Sequence, residues 1–376
     1  MTQNRDVLRE NAVDNQLLTQ VLDFVASGYE PDGKTSGTCQ FLLNGPTPLA
    51  FHLLVGETLT FGLGLCDRPS VTLKLPASLL ERVLGDSEKF DPRHRDIMSA
   101  VEISGDENLA SLVANLLKSP PRQSVERLAE AEAKARASKP VTSVERITNP
   151  TANEVLEAIR EGRPIVATGA IEHWEARSWS LADWTEKLRD VPLRVKSTTE
   201  FDTILDYVQA IRGESSANYS VGVSLPQECW HYFVPPFLDR EDFNAPQLWM
   251  GAAAGQEPVT ALHRDCLTGF LCHLYGRKKF LLYSPDQAEL VYPFKRFNAH
   301  QPCRVTPSAP DLERYPLFAK ARPIETILEP GDVLINPVGW FHEVYALGPV
   351  ISVSFFLKGS KSATSNDDRG RAEKGE

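Results

Sequence analysis

Apolar positions change period several times along this chain, and each change marks an element. Val7, Leu8, Val13, Leu17, Leu18, Val21, Leu22 and Val25 recur at three- and four-residue steps, predicting an amphipathic helix over 4–28. The runs CQFLLNG and LAFHLLVGETLTFGLGL then read as short strands separated by Gly, Pro and Asn turns. SVTLKLP alternates with the two-residue rhythm of a half-buried strand. PASLLERVLGD predicts a helix closed by Gly85, and IMSAVEISGD a strand with its turn. In ENLASLVANLLKS, Leu109, Leu112, Val113, Leu116 and Leu117 form one helical face.

The pattern fades over 119–141, SPPRQSVERLAEAEAKARASKPV, where two prolines lead into Ala, Glu, Lys and Arg. That composition predicts a solvated helical spacer and a domain boundary. Beyond Ser143, TANEVLEAIREGRP reads as a helix ending at Gly162, PIVATGAIEHW as a buried strand, and LADWTEKLRD as a helix. PLRVKST then reads as a strand, FDTILDYVQAIRG as a helix and ANYSVGVSL as a strand, and strand-like runs continue to Leu357. GSKSATSNDDRGRAEKGE has no apolar anchor and predicts a disordered tail. The expected division is 1–122, a charged linker 123–140, a second domain 141–359 and a tail 360–376.

Composition narrows the class without naming a function. The 376 residues are 42% hydrophobic and 24% charged, as in ordinary globular proteins. A net charge of −10 argues against nucleic acid as a partner. No apolar window is long enough to span a membrane, and the polar N-terminus does not resemble a secretory signal. Six scattered cysteines without a CxxC read as free thiols, so the expected location is the cytoplasm.

Chemistry concentrates in PVTALHRDCLTGFLCHLYGRKKFLLYSP, residues 258–285. Side chains at i and i+2 of a strand share a face, so His263 and Asp265 can enter one interior with Arg264 turned away. GDVLINPVGWFHEV offers a third ligand, His342, on a second strand. Two histidines and a carboxylate form the minimal set for non-haem Fe(II) with open positions. Zinc is disfavoured by the lack of a Cys-rich or three-His set. Spacing leaves Lys278 and Lys279 open as a candidate cation, because they face opposite sides of a strand.

Two family resemblances follow. The order of VTLKLP, ASLLERVLG, AVEISGD and ENLASLVANLL over about residues 35–118 resembles SCP2-like domains, which implies an apolar tunnel and a lipid-like ligand. Residues 141–358 resemble the cupin-like JmjC family of Fe(II)/2-oxoglutarate oxygenases, in the branch of the hypoxia-inducible-factor asparaginyl hydroxylase. The matching stretches are GRPIVATGAIEHWEA, LWMGAAAGQEPVTALHRD, LYGRKKFLLYSPDQAELVYPF, DLERYPLF and EPGDVLINPVGWFHEV with ISVSFF. The expected fold is therefore α+β: an SCP2-like domain, then a double-stranded β-helix (jelly-roll) with flanking helices.

The second resemblance implies that His263, Asp265 and His342 hold Fe(II). It implies that Lys278 pairs with the distal carboxylate of 2-oxoglutarate, that Thr260 and Tyr219 hydrogen-bond the same group, and that Trp340 walls the site. The implied reaction hydroxylates a C–H bond of a protein, peptide or small-molecule substrate and releases succinate and CO2. N-demethylation by the same chemistry and a non-catalytic cupin with a lipid-binding module are the rival readings. The chain departs from the family at Gly269 and Ser354, where asparagines are usual, and at Arg264, where an aromatic is. With Thr260 before the first ligands and Lys278 after them, one short hairpin is expected to hold both metal and cosubstrate. His273, at even offset from Asp265, is expected to be structural or to support the site from behind its ligands, and the aromatic cluster Trp230, Tyr232, Phe233 and Phe237 to be loop packing.

Overall fold

The computed structural model describes residues 16–45, 48–89, 97, 99–189, 203–213, 219–252 and 257–359. The expected strand PLRVKST and the expected tail 360–376 lie outside them. The chain divides into two compact units, one of residues 1–126 with 293–304, the other of 127–292 with 305–376. The first boundary falls close to the expected 122, but segment 293–304, which the sequence assigns to the second domain, belongs to the first unit.

In the first unit, helix α1 (Gln16–Gly28) precedes β1 (Gly37–Asn44), β2 (Leu49–Val55), β3 (Thr60–Leu63) and β4 (Val71–Pro76). Helix α2 (Ala77–Gly85), β5 (Glu102–Gly105) and α3 (Glu107–Leu116) follow. The strands form one sheet in the order β3-β2-β1-β4-β5, with β1 and β4 parallel and the other pairs antiparallel. Alternation in VTLKLP buries Val71, Leu73 and Leu75 against Leu80, Val83 and Val113 of the helices. Asp106 caps α3 by accepting from the Asn108 and Leu109 amides. Segment 293–304 completes this unit. The Arg296 guanidinium lies 4.1 Å over the Phe24 ring and donates to Ser119 Oγ, and the Lys295 amide donates to Glu30.

Phe41 and Phe51 stack at the centre of this sheet with ring centroids 4.6 Å apart, each 1% exposed. Phe41→Ala should therefore destabilise the first unit by about 3–5 kcal/mol through lost burial and an unfilled cavity. Urea unfolding of the full chain, followed by fluorescence and circular dichroism, checks this value.

Helix α4 (Arg122–Ala137) covers the expected spacer, and from Arg127 onward it belongs to the second unit. That part is anchored: Arg127 donates to the Gly359 carbonyl, Lys134 to the Arg160 carbonyl, and Glu132 pairs with Arg264. The unit continues with β6 (Glu145–Thr148), α5 (Ala152–Glu161), β7 (Ile165–Thr168), α6 (Leu181–Lys187) and α7 (Ile204–Ile211). Thr151 and Glu154 form a reciprocal capping box at the start of α5, and Gly162, at φ 74°, ends it. Next come β8 (Tyr219–Ser224), β9 (Gln247–Gly251), β10 (Thr260–Asp265), β11 (Gly269–Tyr275) and β12 (Lys278–Tyr283). Helix α8 (Ala288–Val291) is followed by β13 (His300–Pro302, in the segment belonging to the first unit) and β14 (Ile324–Leu328). The last three strands are β15 (Val333–Asn336), β16 (Phe341–Ala346) and β17 (Val350–Phe356).

Two sheets build the second unit, as a jelly-roll requires. One has β10, β16, β12 and β14 as successive neighbours; the other runs β6-β7-β15-β11-β17-β9-β8. Consecutive strands β10, β11 and β12 therefore alternate between sheets. The expected hairpin holding both metal and cosubstrate is not formed, because β16 lies between β10 and β12 and pairs antiparallel with both. Gly276, at φ 72°, makes the turn from β11 to β12, where a Cβ would lie 1.9 Å from the Pro349 carbonyl oxygen. The outer face of the seven-stranded sheet packs Phe270, Cys272, Val353 and Phe355 against Trp174, Trp184 and Val208. Phe233 lies in that core with Trp230, Tyr232 and Phe237 packed on it, in keeping with loop packing for the aromatic cluster.

Candidate metal centre

His263 and His342 are direct cross-strand partners in the β10–β16 register. A register shift between Thr260 and His263 adjusts the approach of β10 to this pair. Their rings lie 4.1 Å apart between centroids. Asp265, two residues along β10, places one carboxylate oxygen 4.0 Å from His263 Nε2 and the other 3.7 Å from His342 Nε2. One ligand atom from each of the three residues falls within 4.8 Å of the others.

These residues fit a divalent cation on three counts. Burial raises the Asp265 carboxyl above its ordinary range, with His263 opposing, so ionising it calls for a nearby positive charge. The two imidazoles aim their Nε2 atoms at that same carboxylate. His263 Nδ1 lies 2.8 Å from the Ala261 carbonyl oxygen, an N–H···O contact that leaves Nε2 unprotonated and able to ligate.

One cavity is lined by these three residues and by Thr260, Tyr219 and Lys278. Lys278, at the start of β12, is 1% exposed, and among the described residues no carboxylate forms an ion pair with it. Burial alone pushes its ammonium down to about 7. The Tyr219 ring stands 5.3 Å from Lys278 Nζ, and burial raises its phenol, which stays a donor. Lys279 points the other way, with its Nζ 4.5 Å over the Tyr345 ring, so alternation separates the two lysines that spacing could not.

Trp340 corrects an expectation. It is absent from the cavity lining; its indole is buried with Val166, Phe280 and Leu334, and its N–H donates to the Gly162 carbonyl. It lies in the turn before β16, where alternation with His342 does not hold, and it satisfies the end of α5 instead. His273 is also structural. Nε2 donates to the Gly276 carbonyl, Nδ1 accepts from the Ser352 hydroxyl, and burial holds the ring neutral, its pKa pushed down to about 3. None of the six cysteines, all among the described residues, forms a disulfide.

The three departures have physical accounts. Gly269 leaves room that the Phe356 ring occupies, 3.3 Å from where a Cβ would sit. The Ser354 hydroxyl accepts from Trp249 Nε1 at 2.6 Å, and both residues line the cavity. Arg264 turns away from the cavity but is 4% exposed, with its guanidinium 4.6 Å over the Phe341 ring and 2.8 Å from Glu132. Glu132→Ala removes that ionised partner and should cost about 1–3 kcal/mol of stability. Thermal unfolding checks it, with Glu132→Gln expected to recover part of the loss.

Sequence reasoning missed Phe280, Val344, Asn336 and Trp249 in the lining. Alternation could have found two of them, since Phe280 is two residues after Lys278 and Val344 two after His342. Asn336 carries a different signal, a polar residue closing the apolar strand VLIN.

Residues 196–362 match the family model described as "Cupin-like domain". The chain is 30% identical over 217 residues to lysine-specific demethylase 8 of Xenopus tropicalis, covering 52% of this chain and 48% of that protein. It is 25% identical over 221 residues to Jumonji C domain-containing protein 5 of Drosophila melanogaster, covering 52% and 54%. It is 33% identical over 133 residues to tRNA wybutosine-synthesizing protein 5 of Danio rerio, covering 35% and 39%. The chain thus spans about half the length, or less, of these relatives. The matches carry the superfamily and do not extend to the asparaginyl-hydroxylase branch or to an SCP2-like first unit. Residues 196–362 are thus similar to cupin-like domains, and the relatives matched over about half of the chain include a Jumonji C domain-containing protein.

Proposed function

We propose that the second unit is an Fe(II)- and 2-oxoglutarate-dependent oxygenase that hydroxylates a C–H bond of a protein, peptide or small-molecule substrate. The observation that carries this reading is the convergence on one cavity of a His-Asp-His group and a buried lysine that has no acid partner among the described residues. A structural lysine would be paired or exposed; one held unpaired in an apolar wall suits an anion that arrives with the ligand.

His263, Asp265 and His342 would hold the metal. Lys278 would bind the distal carboxylate of 2-oxoglutarate, with the Tyr219 and Thr260 hydroxyls as further donors. Phe280, Leu334 and Val344 line the same cavity with apolar surface and restrict water there. When bound, iron and 2-oxoglutarate supply the oxidising chemistry, in which dioxygen is consumed, succinate and CO2 leave, and a C–H bond becomes C–OH.

One relative is named a lysine-specific demethylase, which favours N-demethylation as a second reading; there the hydroxylated N-methyl group leaves as formaldehyde. Anaerobic binding of Fe(II) and 2-oxoglutarate, followed by succinate and formaldehyde assays on candidate substrates, separates these readings. Binding with succinate alone supports hydroxylation, and stoichiometric formaldehyde supports demethylation. Absence of both binding and succinate would leave the non-catalytic cupin. For the first unit we retain the SCP2-like reading with an apolar ligand, supported by its single helix-backed sheet. An acyl-chain fluorophore that fails to bind the full chain would remove it.

A further inference from the structure

His342 Nδ1 stands between two groups that ask for opposite protonation, and this assigns a role to Asn336. His342 Nδ1 lies 3.3 Å from the Trp340 carbonyl oxygen and 3.3 Å from Asn336 Nδ2. The carbonyl can only accept, so it requires Nδ1 to carry a proton. The amide nitrogen can only donate, so it requires Nδ1 to be bare. Bare Nδ1 would place the proton on Nε2, the atom aimed at Asp265, and that atom could not then ligate a metal. Meanwhile Asn336 Oδ1 is buried with no hydrogen-bond partner among the described residues. Asn336 itself is 7% exposed.

One change answers all three observations. The two ends of an asparagine amide are alike in size, and a half-turn exchanges them without altering packing. We propose that Asn336 is a positioning residue whose amide is turned so that Oδ1 faces His342 and accepts from its Nδ1–H. That hydrogen is shared between Oδ1 and the Trp340 carbonyl, which suits two equal distances at the long end of the range. Nε2 is then the bare nitrogen, oriented at Asp265 before any ion arrives. His263 has the same arrangement through the Ala261 carbonyl, so both imidazoles are set in one tautomer by acceptors behind them. The amide N–H₂ takes the position where Oδ1 has no donor, on a residue that lines the cavity, and is available to an acceptor bound there.

The inference rests on the metal reading, and its test separates the two. Long-range ¹H–¹⁵N correlation spectra of the metal-free full chain, labelled at histidine, report the tautomer directly. His342 is expected as Nδ1–H in the wild type, and an Nε2–H tautomer would overturn the proposal whatever the metal does. Co(II) titration then reads the consequence. Asn336→Leu, close in volume but unable to accept, should weaken Co(II) binding by about 10–100-fold, the usual cost of losing a ligand's outer partner. Asn336→Asp, which still accepts, should stay within about 3-fold of wild type and serves as rescue, with thermal unfolding confirming that both variants fold. Equal Co(II) affinity in wild type and Asn336→Leu would overturn the proposal. A wild type that takes no Co(II) would overturn the metal reading, and the spectra would still decide the amide.

Discussion

His342→Ala is expected to abolish metal binding and 2-oxoglutarate turnover together while leaving the fold intact. An outer partner of a ligand contributes about 10–100-fold in affinity, so loss of the ligand itself should exceed about 100-fold. His342 stands on β16, the strand paired on one side with β10 and on the other with β12. Of the three residues proposed to hold the metal, it is the one not carried by β10. Anaerobic Fe(II) titration with succinate detection checks this outcome, and retained circular dichroism excludes unfolding. His263→Ala and Asp265→Ala should behave alike, because each takes one corner from a three-cornered set. A His342→Ala variant with wild-type Fe(II) affinity would place the metal elsewhere.

Lys278→Met should move ligand affinity and stability in opposite directions. In the free protein the lysine is a buried cation with no carboxylate partner among the described residues, so replacing it with an apolar side chain of similar length should stabilise the fold. In the complex it would face a carboxylate, and losing one partner of a buried pair costs about 3–5 kcal/mol. That corresponds to weaker 2-oxoglutarate binding by roughly 10²-fold to a few thousand-fold.

The pH dependence follows from the same residue. Its folded value is pushed down to about 7 from an ordinary 10.5, so between these values the unfolded chain binds more protons. The free protein's stability should therefore rise with pH across that window. Binding shows the reverse slope, because the anion requires the protonated lysine. Affinity should be level below about pH 7 and fall by up to about tenfold per unit above it. The Lys278→Met variant should show neither slope. Isothermal titration and chemical unfolding across pH 6–9 test both, and an unchanged slope in the variant would assign the effect to another group.

That His263, Asp265 and His342 come together was legible in the sequence because it depends on local rules. His263 and Asp265 share a face by alternation alone, and His342 sits in a strand flagged by its own apolar run. Alternation also forecast that Lys278 and Lys279 diverge, although spacing gave no basis for choosing which one enters the cavity. Strand order was not legible. The hairpin expectation treated sequence neighbours as spatial neighbours, whereas β10, β11 and β12 alternate between two sheets and β16 is placed by pairings roughly sixty to eighty residues distant. Trp340 failed for a related reason, since the turn at Pro337–Gly339 breaks the two-residue rhythm before β16 begins. Asn336 could be flagged as polar in an apolar strand, but its partner is set by the fold.

Segment 293–304 bears on when the first unit can form. Arg296 reaches back to the Phe24 carbonyl across a sequence separation of 272 residues, and the Lys295 amide to Glu30 across 265. During synthesis from the N-terminus, the sheet β1–β5 and its helices leave the ribosome long before this segment exists. Until residue 304 emerges, Phe24 lacks its guanidinium cover and Glu30 lacks its amide donor. The first unit is made early and finished late. A fragment cut at the natural-looking linker would be released without its last piece.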